Sequence, residues 1–221
     1  MGGNTNPTNV LHIKTAVTNT AVVTLESTAT NSYPFLRLKN DAREYQLTCH
    51  GVLSDAFTIY DGTAGSHRFL ITSDGQIGVN NSSPDAWHPS YRSIQIHDAG
   101  VLYGSTDDSF VGLGANHYLN TSGNFIYSNT DFASRFYHVN GEFYFEGAAS
   151  GTAGNSFSFT ERLRITNTGQ IRIDQATSAN NGIRMRPSGW NYDFRMGAVS
   201  SSGGSIWSVS YTHLRAHETI H

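Results

Sequence analysis

Two stretches of this chain repeat one another, and the repeat fixes more about the fold than any other feature. Arg68-Phe69-Leu70-Ile71-Thr72-Ser73-Asp74-Gly75-Gln76-Ile77-Gly78-Val79 recurs as Arg162-Leu163-Arg164-Ile165-Thr166-Asn167-Thr168-Gly169-Gln170-Ile171-Arg172-Ile173. Each copy is an alternating apolar run, a small polar turn ending in Gly, and a second run, which is the pattern of a β-hairpin. Register sets the loop length. A two-residue loop, Thr168-Gly169, would put Arg164 opposite Ile173 and mix charged and apolar side chains on each face. A three-residue loop, Asn167-Thr168-Gly169, pairs Ile165 with Ile171 and Leu163 with Ile173. In the first copy it pairs Ile71 with Ile77 and Phe69 with Val79. A one-residue slip moves every side chain to the other face, so only this register gives one apolar face. Such a loop is a type I turn followed by a residue at positive φ, the place for Gly75 and Gly169.

The rest of the composition agrees with many short strands joined by polar turns. Of 221 residues 22 are Gly, aromatics make up 12% and charged residues only 14%. Low charge with many aromatics argues against disorder. A net charge of −3 offers no basic surplus for phosphates, so no nucleic-acid binding is expected. No apolar run reaches spanning length, so no membrane insertion is expected. The opening Met1-Gly2-Gly3-Asn4-Thr5-Asn6 is polar and does not read as a signal peptide. The single Cys49 lies in the alternating run Tyr45-Gln46-Leu47-Thr48-Cys49 and is expected to be a buried small hydrophobe.

In chain order, strands are expected at Val22–Leu25, Phe35–Leu38, Tyr45–Cys49, Phe57–Tyr60 and the first hairpin. They continue at Ile94–Ile96, Val101–Tyr103, Phe110–Leu113, Phe125–Tyr127, Phe136–Val139, Phe143–Phe145, Phe157–Phe159 and the second hairpin. Asn140-Gly141 is a two-residue hairpin turn. Ile183–Met185 and Tyr192–Met196 follow. Gly2–Pro7, leading to Leu11–Ile13, echoes Gly78–Pro84, leading to Ile94–Ile96. The chain therefore divides into a β repeat at 1–84 that starts mid-repeat, a second at 85–176 and a partial third at 177–208. No stretch sustains a 3.6-residue period, so almost no helix is expected. Short strands leave edges that need covering, and each unit has few apolar residues for a core of its own. The expected fold is all-β: an elongated repeat of short antiparallel strands and hairpins, shaft-like and intertwined as a homotrimer.

Glu161-Arg162-Leu163-Arg164-Ile165 with Thr168-Gly169-Gln170-Ile171, and Gly75-Gln76-Ile77-Gly78-Val79 with Ser82-Ser83-Pro84, resemble the repeats of bacteriophage tail fibre proteins. So do Phe35-Leu36-Arg37-Leu38-Lys39-Asn40-Asp41 and Ser156-Phe157-Ser158-Phe159-Thr160-Glu161. The similarity covers most of residues 1–208. Arg172 and Ile173 depart from the family's Gly-Ile pair. The resemblance implies a trimeric β shaft in a virion tail, a structural and adhesive role, and as partners other tail proteins and a host cell-surface glycan or protein receptor. Such repeats often precede a self-cleaving chaperone domain of the endosialidase type (peptidase S74), and no residues here match it. Residues 209–219 resemble a translated sequencing adapter. They bring His213 and His217 to i, i+4 spacing, but Leu214 stands where the zinc-protease pattern needs Glu.

No catalytic set stands out, and no enzyme activity, cofactor or metal is expected. Asp55, Asp61, Asp74 and Asp107-Asp108 are candidate carboxylates for a tailspike-like depolymerase, which is the alternative function. Their turn contexts favour Asp bonding its own backbone. A secreted bacterial adhesin of similar repeat design is a further alternative. Gly112-Leu113-Gly114 lacks the third glycine of a phosphate loop. Trp87, Tyr91, Trp190 and Tyr192 are candidates for stacking on sugar rings, against the favoured alternative that they cap strand layers. Arg164 and Arg172 face each other in the hairpin register and need carboxylates nearby.

Overall fold

The computed structural model describes residues 23–173 and the backbone of two later strands. Leu11–Ile13, Trp190, Tyr192, His213 and His217 lie outside the described residues. The strands are β1 (Phe35–Lys39), β2 (Glu44–His50), β3 (Ala56–Asp61), β4 (Ser66–Ile71), β5 (Ile77–Val79), β6 (Tyr91–Ile96), β7 (Gly100–Ser105), β8 (Val111–Ala115) and β9 (Tyr118–Leu119). They continue as β10 (Phe125–Ile126), β11 (Asp131–Val139), β12 (Glu142–Gly151), β13 (Ser156–Phe157), β14 (Thr160–Ile165), β15 (Ile171–Arg172), β16 (Ile183–Met185) and β17 (Phe194–Met196). Among the described residues the one helical element is the 3-10 turn Gly51–Leu53. The fold is all-β, as expected.

Twelve strands make one sheet that follows the chain: β1 to β8, then β11, β12, β14 and β15. The strands left out, β9, β10 and β13, form a small second sheet in the order β13-β10-β9. Neighbours in the large sheet are antiparallel except β5 and β6, which run parallel with Ile77 beside Ile94 and Val79 beside Ile96. The sequence pattern does not announce this pairing. A parallel pair needs a crossover connection, and residues 80–90 provide it. Gln76 locks the junction. Its side chain is buried, its Oε1 accepts from Ser93 N at 2.9 Å and Ser93 Oγ at 2.8 Å, and its Nε2 donates to the Tyr91 carbonyl at 3.2 Å.

Both repeated hairpins have the expected register. Phe69 pairs with Val79 and Ile71 with Ile77, and Ile165 pairs with Ile171. In the first turn Gly75 N donates to Thr72 O at 3.0 Å and Thr72 N to Gln76 O at 2.9 Å. The second repeats this with Gly169, Thr166 and Gln170 at 2.9 Å each. Gly75 and Gly169 stand at φ 88° and 83°, the left-handed region where a side chain is strained. A third turn of the same kind, Asn120 to Asn124 with Gly123 at φ 80°, joins β9 to β10. The residue opening each turn caps it: Thr72 Oγ1, Thr166 Oγ1 and Asn120 Oδ1 accept from the backbone N four residues on. Asn140-Gly141 is the two-residue turn between Val139 and Glu142, with both φ values positive.

Two expectations need correcting. Val23–Leu25, the described part of the first expected strand, is not a strand, and Val23 and Leu25 are exposed. The sheet begins at β1, and no ladder partner holds this run. Cys49 is exposed rather than buried. It alternates with Thr48, and Thr48 is on the side that the chain covers.

The core lies between the large sheet and what folds over it. Trp87, from the crossover, packs with Val101 and Tyr103, flanked by Tyr91, Phe110, Tyr118 and Leu119. Gly112-Leu113-Gly114 now has a physical reading. A Cβ on Gly112 would meet the Tyr103 ring at 2.8 Å, and one on Gly114 would collide with the His117 ring. The two glycines clear the covered side for rings, while Leu113 points the other way.

Candidate functional site: an uncovered apolar face

Paired residues in a ladder share a side, and successive residues alternate. The registers therefore sort the large sheet into two faces. One face carries a row of Leu36, Leu47, Ile59, Phe69, Val79 and Ile96. Beside it runs Phe57, Ile71, Ile77, Ile94, Leu102, Leu113, Phe136, Phe145 and Leu163, unbroken through nine strands. Among the described residues none covers this face: Leu36 is 51% exposed, Leu102 41%, Leu113 57% and Phe145 40%. Leu38, Tyr45, Phe132, Phe136, Phe143 and Ile171 are exposed as well. These exposed apolar side chains lie side by side on one face of the sheet, and a large contiguous apolar patch marks an interaction surface.

The opposite face has the reverse character. Its buried positions include the small polar residues Thr48, Thr58 and Ser93, with Gln95, and Asp85 of the crossover exchanges backbone hydrogen bonds with the Gln95 side chain. Arg135 pins the small sheet down. Its guanidinium lies 4.5 Å from the Phe125 ring centre, 4.4 Å from Tyr137 and 4.5 Å from Phe159. Its Nη2 is 2.6 Å from Glu146, so the half-buried charge is paired as well as stacked. His117 lies deeper, 2% exposed, its Nδ1 3.3 Å from the Ala115 carbonyl and its Nε2 3.4 Å from the Tyr103 hydroxyl. Burial, aided by the Arg135 charge and opposed by the Ala115 bond, pushes its imidazole down to about 4. It is neutral near pH 7.

The candidate carboxylates do not converge on a cleft. Asp61 is buried at the margin of the sheet, bonded by Arg43 at 2.6 Å, Arg68 at 3.0 and 3.2 Å, and the Ala64 backbone at 3.0 Å. Burial alone raises its carboxyl, but the Ala64 bond and the two cations outweigh it and the net shift is downward. Asp74 takes a bond from Thr72 within the hairpin turn. Asp55 is a positive-φ turn residue. The backbone N atoms of Asp107 and Asp108 both donate to Ser105 Oγ. Arg164 and Arg172 are directly paired, and Glu142 and Glu161 supply the carboxylates beside Arg164 at 3.3 and 3.4 Å.

Of the aromatic candidates, Trp87 is 2% exposed with its ring 4.8 Å from Tyr103, leaving no open face. Tyr91 packs edge-on against Phe110. Sequence reasoning missed His117 and Arg135; a lone His and a lone Arg in strand-rich sequence carry no pattern. Among the described residues no group of three or more His, Cys, Asp or Glu is placed to hold a metal. No helix among them is long and apolar enough to cross a membrane. No protein-family model matches the chain, and no curated protein matches it.

Proposed function

We propose that the chain is a structural, host-contacting fragment of a phage tail fibre, acting without enzymatic chemistry and assembled as a homotrimer. The uncovered apolar face carries this reading. Large contiguous apolar patches are rare on soluble monomers and mark interaction surfaces, and this one runs through nine neighbouring strands. Other copies of the chain are the occupants with the matching surface.

Strand length supports threefold symmetry. A strand of five to seven residues is about 17–23 Å long. Three such sheets closed into a triangle stand about 5–7 Å from the axis, roughly half the ~10 Å spacing of packed sheets, so apolar side chains from all three meet at the centre. Four sheets would leave a channel. The loops and the small sheet then face outward. Twelve strands stacked at about 4.8 Å give a shaft segment of about 50 Å. Along such a shaft, many weak surface contacts act together through multivalency, which supports the adhesive reading. The family resemblance, carried by the hairpin repeats, supports the tail fibre and virion assignment.

Incubation with bacterial surface polysaccharides tests the non-enzymatic part. The chain is expected to release no reducing ends over hours. Steady release, abolished by substituting Asp74 or Asp107, would transfer the reading to the depolymerase alternative.

A further inference from the structure

We propose that His50 and His67 form a two-imidazole site for a borderline divalent metal ion of the Zn²⁺, Ni²⁺ and Cu²⁺ class. His50 ends β2 and His67 lies in β4, with β3 between them. Their ring centres are 5.4 Å apart with planes at 73°. Tyr33 stacks on His50 at 4.8 Å, and Tyr60 packs against His67 at 4.9 Å.

The ring spacing leaves room for a shared metal. With a metal–nitrogen bond of about 2.0–2.1 Å and a ring centre about 1.1 Å further on, two imidazoles at a roughly tetrahedral angle have centres about 5.2 Å apart. The second observation is chemical. Nδ1 of His50 and Nδ1 of His67 are both buried from solvent and have no hydrogen-bond partner. An unsatisfied buried ring nitrogen costs stability, and a metal accepts such a lone pair. The site is independent of what covers the apolar face.

The test uses the full chain, stripped with chelator, and Cu²⁺ and Zn²⁺ alone as probes. Calorimetric titration with Zn²⁺ should show one more equivalent bound to the wild type than to His50→Gln/His67→Gln. Each single variant should lose at least the roughly tenfold affinity that even an outer-shell partner can contribute. Histidines elsewhere, His213 and His217 included, are common to all variants and cancel. The Cu²⁺ paramagnetic resonance of the wild type should show two equivalent imidazole nitrogens, and that of either single variant should not. Equal stoichiometry and affinity in the wild type and double variant would overturn the proposal. If the double variant does not fold, ¹³C-histidine NMR of the wild type decides. The two ring signals must shift together on adding Zn²⁺, and two unmoved signals would overturn it.

Discussion

Acid should unfold this chain partly through one residue. His117 is held neutral, its imidazole moved from 6.5 to about 4 by burial in an aromatic pocket. The sign follows from proton linkage. Above pH 6.5 neither the folded nor the unfolded chain protonates this ring, and its contribution to stability is fully present. As pH falls from 6.5 to 4 only the unfolded chain takes up the proton, so stability is lost. Below about 4 both states bind it and the loss levels off. A displacement of about 2.5 units corresponds to roughly 3 kcal/mol. Replacing His117 with Phe keeps a ring over Gly114 but removes the titration. The variant should be less stable than wild type at pH 7, by about 1–3 kcal/mol, because the Ala115 carbonyl and Tyr103 hydroxyl lose their bonds to the imidazole. Urea unfolding of both proteins at one protein concentration, from pH 7.5 to 4, isolates this contribution, since other titrating groups are common to both. The wild type should lose roughly 3 kcal/mol more than the variant across this window. Parallel curves would show that His117 is not held neutral by the fold, and the packing described around it would be wrong.

A Cβ on Gly169 would meet no atom within 4 Å, and the residue stands at φ 83°, so Gly169→Ala should cost only the left-handed strain, about 1–2 kcal/mol; an unchanged Tm would reject the turn. Gly114→Ala should do more damage despite the same added atom, because the Cβ collides with the His117 ring; an overpacking loss of about 1–3 kcal/mol with a changed near-UV spectrum is expected, and a silent substitution would refute the close approach. Gln76→Leu leaves the Ser93 amide without its acceptor and should cost about 1–3 kcal/mol. Hydrogen exchange at Ser93 should speed up, while that at Thr58, in β3, should not.

The hairpins are legible in the sequence because alternation, charge and glycine placement all point to one register. Arg164 opposite Arg172 and Ile71 opposite Ile77 both follow from it. Which face is covered is not legible. A period of two says that the faces differ, and it places Cys49 inside because that residue shares its side with Leu47. The chain instead covers the face of Thr48, Thr58 and Ser93, with loops and rings fitting over small residues. The parallel β5–β6 pair is hidden for a related reason. Gln76 looks like a polar turn residue, yet its contribution is a long-range bond to Ser93 that no local pattern encodes. Arg135 is equally silent, since its partners Phe125, Phe159 and Glu146 come from three separate segments.

The apolar face makes the most demanding claim, and the mass of the assembly in solution tests it. Sedimentation equilibrium of the chain at neutral pH should give three times the chain mass. Leu113→Glu, which places charge at the centre of the face, should break that assembly. A monodisperse, stably folded monomer, or a dimer indifferent to Leu113→Glu, would contradict the account.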